Sequence, residues 1–231
     1  MKSHILITGL VSLGVLLAGC DKAAPPNAAQ KSAEAETPEK KLADLVKRAE
    51  RGDASAQSAL GQIYYRGEGV PKEAAKAVEW YQKAAAQGDA RAQFMLGSMY
   101  DKGEGVPRDA AKAVEWYQKA AAQGDASAQL MLGLMYASGE GVPKDAAKAV
   151  EWWQKAAAQG DASAQYNLGR MYSVGKGVPK DAAKAFEWTQ KAAVQGDVMA
   201  QLSLSGMYNE GEGVPKDTCP LNSFSGWLVH R

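Results

Sequence analysis

Residues 88–123 of the chain read GDARAQFMLGSMYDKGEGVPRDAAKAVEWYQKAAAQ. The pattern returns at residues 124–159 with 29 of 36 positions identical, and further full copies occupy residues 52–87 and 160–195. A fifth copy begins at Gly196 and breaks off after Asp217. A fixed period of this length is typical of solenoid proteins, in which each small helical unit buries its apolar face against its neighbours. The repeat therefore predicts an all-α stack of about four complete helix-turn-helix units.

Each copy carries the start and stop signals of two helices. Asp89 suits the N-cap of the first helix, and Gly88 suits the left-handed residue that ends the preceding one. The GEGVP segment at residues 103–107 predicts a turn, after which Asp109 predicts the N-cap of a second helix over residues 110–123. Because stop and start signals are adjacent, consecutive helices are expected to be antiparallel neighbours.

The apolar residues of each copy fall on one side of each predicted helix. Ala92 and Leu96 repeat at helical spacing in the first helix, as do Ala113 and Trp116 in the second. We expect this tryptophan to be the large buried side chain of every repeat, although a ladder of indoles could also serve as a ligand platform. Its counterparts are Trp80, Trp152 and Trp188.

The repeated motifs are Asp-Ala-x-Ala-Gln, Leu-Gly-x-Met-Tyr, Gly-x-Gly-Val-Pro-x-Asp and Lys-Ala-x-Glu-Trp. Over residues 39–217 they closely resemble the Sel1-like repeat, a relative of the tetratricopeptide repeat. The resemblance implies an α/α superhelix with the first helices on its concave side and a role in assembling proteins. Some Helicobacter members carry a disulfide in each repeat and are linked to β-lactam binding or hydrolysis, but the repeats here lack cysteine. Other members are periplasmic immunity lipoproteins that block phospholipase toxins of type VI secretion.

The copies differ mainly along one side of the first helix. Five of the seven differences between residues 88–123 and 124–159 are spaced so that they share one helical face. Aromatic, Met and Arg side chains on it are typical of protein interfaces, so we expect a partner-binding groove. Packing between repeats and unconstrained drift are the alternatives. The predicted binding residues are Arg91, Phe94, Met95, Ser98, Leu130, Met131, Leu134, Tyr166, Asn167 and Arg170.

The N-terminal segment predicts export and a lipid anchor. Residues 1–19 combine Lys2 with an apolar run too short for a membrane span, as in a signal peptide. Leu-Ala-Gly-Cys at residues 17–20 resembles the lipobox of bacterial lipoproteins, which implies that Cys20 is lipidated. We therefore expect a protein anchored in the cell envelope and facing the periplasm, with the choice between inner and outer membrane open.

Two segments connect and cover the repeats at this end. Residues 20–38 are rich in Ala, Pro and Glu and predict a flexible tether. Residues 39–51 match the second helix of the repeat and predict an N-terminal capping helix. At the other end, residues 218–231 depart from the pattern. Phe224, Trp227 and Leu228 could fold back as a cap, the end could fray, or the change could reflect a shifted reading frame.

The composition offers little catalytic chemistry. Histidine occurs only at His4 and His230, so the repeats contain no histidine for a metal site or a nucleophile–base pair. Glu115 and Lys119, with their copies, are expected to form exposed i,i+4 ion pairs. The net charge of +1 gives no basic footprint for nucleic acid. We therefore expect no enzymatic activity, no cofactor and no nucleic-acid binding, but a monomer that binds an unidentified protein.

Overall fold

The computed structural model describes residues 37–213. This part of the chain contains ten α-helices of 13 residues each and no strand. Consecutive helices pack as antiparallel pairs along the chain, which confirms the predicted all-α solenoid. The helices are α1 Pro38–Glu50, α2 Ala54–Arg66, α3 Ala74–Ala86, α4 Ala90–Lys102, α5 Ala110–Ala122, α6 Ala126–Ser138, α7 Ala146–Ala158, α8 Ala162–Val174, α9 Ala182–Val194 and α10 Val198–Glu210.

Helix α1 lies where the sequence predicts the N-terminal capping helix. It begins at Pro38, inside the segment predicted to be tether, because the Thr37 hydroxyl accepts a hydrogen bond from the backbone N–H of Lys40 at 3.3 Å. Its half-buried Leu42 and Leu45 pack on the first core cluster of the stack, which includes Leu60. The predicted signal peptide, Cys20, nearly all of the tether and the divergent tail lie outside the described residues.

The aspartate N-caps form as predicted. The Asp89 carboxylate accepts a hydrogen bond from Ala92 N at 2.7 Å, and that of Asp109 accepts from Lys112 N at 3.0 Å. Asp109 is partly exposed, and its hydrogen bonds with Lys112 hold the pKa of its carboxyl below the ordinary value. Among helices α2–α10, only α3 lacks this cap. Glu73 occupies its N-cap position, and the longer glutamate side chain makes no such bond. The caps therefore set the start of nearly every helix in the stack.

Glycines end the second helices and allow successive repeats to pack closely. Gly88 has a φ of 90°, and the following Asp89 N–H returns to the carbonyl of Ala84 at 3.2 Å, which closes the end of α3. Gly105 approaches the backbone of Ala74 in the preceding repeat so closely that a Cβ would lie 2.5 Å from its carbonyl carbon. The Gly-x-Gly turn is therefore a packing element between repeats.

The prediction that the repeated tryptophan is the large buried side chain of each repeat is wrong. The residue that follows it in the chain takes that place. Trp116 is only half-buried, whereas the next residue, Tyr117, is 1% exposed and is the large buried side chain of α5. The inner face of this helix consists of Ala113, Val114, Tyr117, Ala120 and Ala121. Because these residues are spaced by four and seven, the centre of the face lies one position beyond the repeated tryptophan.

The predicted Glu–Lys pairs are also mostly absent. Among the four copies in the described residues, only Glu187 and Lys191 form an ion pair, at 2.6 Å. All four lysines lie over the indole ring one turn earlier, as Lys119 does at 3.9 Å from the Trp116 ring centre and Lys191 at 4.3 Å from that of Trp188. Each lysine therefore gains a cation–π contact with a half-buried tryptophan, and Lys191 makes this contact together with its ion pair.

A ladder of glutamine pairs, each with one buried and one exposed member, was not predicted from the sequence and joins the repeats. Gln93 is 5% exposed and donates to the carbonyl of Ala85 at 3.2 Å, while its own oxygen accepts from Gln123 at 2.8 Å. The same side-chain pairs form in the other repeats, between Gln57 and Gln87, Gln129 and Gln159, and Gln165 and Gln195. Each pair ties a first helix to the end of its own second helix and to the repeat before it.

Candidate functional site

The ten predicted binding residues lie on α4, α6 and α8, the first helices of three consecutive repeats. These helices begin at equivalent aspartate caps and are equally long, so equivalent positions recur on the same side of each. We call this set the first-helix face. It comprises Arg91, Phe94, Met95, Ser98, Leu130, Met131, Leu134, Tyr166, Asn167 and Arg170.

The first-helix face is partly surface and partly packing. Arg91, Leu134 and Arg170 are exposed, Leu134 to 40%, and the other seven residues are half-buried. Phe94 and Met131 lie against the core shared by α5 and α6, and their neighbours pack in the same way on adjacent clusters. The apolar members therefore contribute to packing within and between repeats while leaving one edge of each side chain accessible.

Each repeat also contributes one side chain beneath this face from its second helix. These four residues, Tyr81, Tyr117, Trp153 and Thr189, are between 1% and 3% exposed. The Tyr117 ring centre lies 5.8 Å from that of Phe94, and the Trp153 indole N–H donates to the carbonyl of Leu130 at 3.3 Å. We call these four residues the floor. They were not predicted from the sequence, although Tyr117 and Trp153 are among the positions that differ between copies.

Burial keeps the phenols of the floor neutral. It raises the pKa of Tyr81 to about 12 and that of Tyr117 well above its ordinary value. The Tyr81 hydroxyl is buried and has no hydrogen-bond partner within the described part of the chain. The floor therefore offers apolar ring surface rather than an ionisable group for acid–base chemistry.

Charge on the first-helix face is concentrated at its exposed positions. The Arg170 guanidinium carbon lies 5.8 Å from the centre of the Tyr166 ring, which orients the cation along α8. Arg91 lies at the corresponding edge of α4, where the Coulombic effect of its cation on Tyr81 opposes the larger effect of burial. The face thus presents separated cations beside apolar side chains.

Within residues 37–213, no three His, Cys, Asp or Glu side chains are close enough together to hold a metal ion. The same stretch has no helix long and apolar enough to cross a bilayer.

Comparison with known families accounts for this architecture. The sequence model of the Sel1 repeat matches residues 54–89, 90–125, 126–161, 162–197 and 198–218. The chain belongs to the Sel1 repeat family. The family boundaries fall two residues after those drawn from the sequence, at the first residue of each first helix. Sel1 repeats are generally scaffolds for protein interaction.

Solved structures place the chain among bacterial Sel1 proteins. A protective antigen of uropathogenic Escherichia coli with an SLR fold is 44% identical, with a TM-score of 0.74 over 76% of this chain. The chain spans only 38% of the length of that antigen. A Sel1 repeat protein from Oxalobacter formigenes is 36% identical over 76% of this chain and 77% of its own, with a TM-score of 0.70.

A third similar structure is an immunity protein from Pseudomonas aeruginosa. It is 26% identical to this chain, covers 81% of it and 72% of its own length, and has a TM-score of 0.50. No curated protein matches the chain.

Proposed function

We propose that this Sel1 repeat protein is a membrane-anchored scaffold that faces the periplasm and binds another protein through the first-helix face, on the concave side of its superhelix. One observation carries the proposal. The first helices are held by the same aspartate caps and the same glutamine ladder in every repeat, yet the exposed side chains along α4, α6 and α8 differ. A constant frame that displays changing side chains is the arrangement of repeat proteins that recognise a partner.

The chemistry of the exposed residues supports a protein ligand. Leu134 keeps 40% of its surface in water, between the cationic Arg91 and Arg170 of the neighbouring first helices. Arginine and apolar side chains together are typical of the centre of protein interfaces, whereas isolated lysines and glutamates dominate ordinary surface. A partner with apolar side chains flanked by carboxylates would complement this arrangement.

Site-specific photo-crosslinking tests the proposal in living cells. A benzophenone amino acid placed at Leu134 or Arg170 of the full chain should cross-link to the same protein. Placed at Gln154, an exposed residue of the second helix in the same repeat, it should not. A Leu134→Glu substitution should weaken that cross-link at Arg170 at least tenfold, while Gln154→Glu leaves it unchanged. Equal cross-linking from all three positions, or none from the first-helix face, would contradict the proposal.

The anchor is proposed from the Leu-Ala-Gly-Cys motif at residues 17–20. Cells given a labelled fatty acid should incorporate it into the wild-type protein, which should fractionate with membranes. Cys20→Ala should abolish both results, and Cys219→Ala should abolish neither. Label retained in Cys20→Ala would disprove lipidation at this residue.

A second candidate function is favoured by the similarity to the Pseudomonas immunity protein, which extends over 81% of this chain. The protein would then neutralise a phospholipase toxin delivered by type VI secretion, with the toxin as the partner of the first-helix face. A strain that lacks the gene should lose lipid phosphate and viability when grown in contact with its isogenic parent. Protection should return with the wild-type gene but not with Leu134→Glu. Survival of the deletion strain beside a parent that secretes the toxin would rule this candidate out.

A further inference from the structure

The floor residues occupy equivalent places in the four complete repeats. Each faces a glycine of the first helix in its own repeat so closely that an added Cβ would lie under 3.0 Å from it. The pairs are Gly61 with Tyr81, Gly97 with Tyr117, Gly133 with Trp153 and Gly169 with Thr189. In three repeats an aromatic ring fills the space between successive first helices. In the fourth repeat only threonine stands there.

The fourth repeat also has an open pocket that reaches down to this threonine, which is itself 3% exposed. The cavity has a volume of about 350 Å³ and lies between α8, α9 and α10. Its lining includes Tyr166 and Gly169 from α8, Thr189 from α9, and Ser203 and Gly206 from α10. The volume falls in the lower range of sites that bury a small molecule or a large side chain.

On the side of the cavity opposite Thr189, α10 also carries a smaller residue than the equivalent helices. Gly206 occupies the position that Ser98, Leu134 and Arg170 occupy in the preceding repeats. Among residues 37–213, a Cβ built on Gly206 would meet nothing within 4 Å, in contrast to the four glycines that face the floor. Two substitutions relative to the other repeats, one on each side, therefore open the same space.

We propose that this cavity receives a tyrosine or tryptophan side chain from the protein bound at the first-helix face. The inference rests on the proposed function and names the chemistry of its partner. The identity of the occupant follows from the neighbouring repeats, where the same helical frame closes around the rings of Tyr117 and Trp153. A single inserted aromatic anchor is the usual centre of a protein interface.

The lining suits an aromatic ring with a polar tip. Tyr166 offers a ring, and the guanidinium of Arg170 already lies near it at 5.8 Å, in position to pack on a second ring. Ser203 and Glu210 place a hydroxyl and a carboxylate in the same lining. They can accept the hydrogen bond of a phenol or an indole N–H, a bond that a leucine or phenylalanine could not make.

Small aromatic probes test the cavity directly. In nuclear magnetic resonance titrations of the full chain, N-acetyl-tryptophanamide and N-acetyl-tyrosinamide should shift the amide signals of Gly169 and Gly206 in a saturable manner. N-acetyl-leucinamide, the aliphatic control, should bind at least tenfold more weakly. Equal affinity for the three amides, or no saturable shift at these glycines, would overturn the inference.

Two variants fill the cavity from opposite sides. Thr189→Trp restores the side chain of the third repeat, and Gly206→Leu restores the residue found at Leu134. Each should weaken binding of the aromatic probes at least tenfold, whereas the matched control Thr189→Val should change it less than threefold. Helical circular dichroism should be retained in at least one filling variant. Undiminished probe binding in a folded filling variant would place the probe elsewhere and overturn the inference.

The cross-linking assay separates this inference from the proposed function. If Thr189→Trp abolishes the cross-link formed at Leu134, the partner's anchor enters the cavity. If the cross-link persists, the anchor inference is wrong while the scaffold function stands. If the wild-type protein forms no cross-link from the first-helix face, both are wrong. Deleting residues 218–231 should leave probe affinity unchanged, because a tenfold gain would show that the chain's own end occupies the cavity.

Discussion

The third and fourth repeats share one frame but differ in what fills it. Both have an aspartate cap on each helix, a hydrogen-bonded glutamine pair and a floor position opposite a glycine. In the third repeat the floor is Trp153, and in the fourth it is Thr189. The frame therefore depends on caps, glycines and glutamines more than on the ring. This independence leaves the floor free to be either filled with a side chain or opened as a cavity.

The largest difference in stability between the two repeats should be seen with Trp153→Ala. It removes a side chain that is 2% exposed and whose N–H is satisfied, and it should lower the free energy of unfolding by about 3–5 kcal/mol. Thr189→Ala removes a smaller buried side chain from the floor of the fourth repeat and should cost about 1 kcal/mol. Urea unfolding followed by circular dichroism measures both.

Substitution of the adjacent Trp152 tests which of the two tryptophans is the main buried side chain of the repeat. Trp152→Ala removes a half-buried indole and should destabilise the chain by less than half as much as Trp153→Ala. If the two losses were reversed, the repeated tryptophan would be the main buried anchor after all.

An intermediate change in stability should distinguish Gly133, which faces Trp153, from Gly206, which lines the cavity. Gly133→Ala places a methyl group against the Trp153 indole and should cost about 1–3 kcal/mol through overpacking. Gly206→Ala, on the open wall of the fourth repeat, should instead raise stability by up to about 1 kcal/mol, because alanine favours the helix. Thermal melts of the two variants test this, and losses of equal size would show that the fourth-repeat cavity is closed.

The smallest change in stability should come from the first repeat, where the floor residue is Tyr81 and its hydroxyl makes no hydrogen bond in the described residues. Tyr81→Phe removes this hydroxyl and should raise stability by about 1 kcal/mol at neutral pH. Burial raises the pKa of Tyr81 to about 12 in the folded state. The neutral phenol is therefore favoured by folding, and the stability linked to it is present below the unfolded pKa of about 10 and is lost as the pH rises toward 12.

A pH series of urea unfolding measures this linkage. Tyr81→Phe should flatten the loss of stability above pH 10 relative to wild type, because the variant has no proton to release at this position. An unchanged alkaline slope would mean that the Tyr81 hydroxyl is solvated or hydrogen-bonded in the folded chain.

Much of this architecture could be predicted because it depends on local signals. Asp89 and Gly88 specify a start and a stop through backbone hydrogen bonds within a few residues, so the helices follow from spacing alone. The failures concern contacts between helices. Periodicity identified the inner side of α5 but not its centre, because Trp116 and Tyr117 both lie near it and only the facing Gly97 determines which ring is enclosed.

The sequence by itself determined the repeat, its helix boundaries and the set of positions that vary between copies. These follow from hydrogen bonds and apolar spacing along one chain segment. Only the tertiary structure showed that Gln93 is a buried link, that the lysines lie over the indoles, and that Thr189 and Gly206 line one cavity. The physical reason is that a cavity belongs to three helices from two repeats, and whether facing side chains fill the space between them depends on their distances in the folded stack.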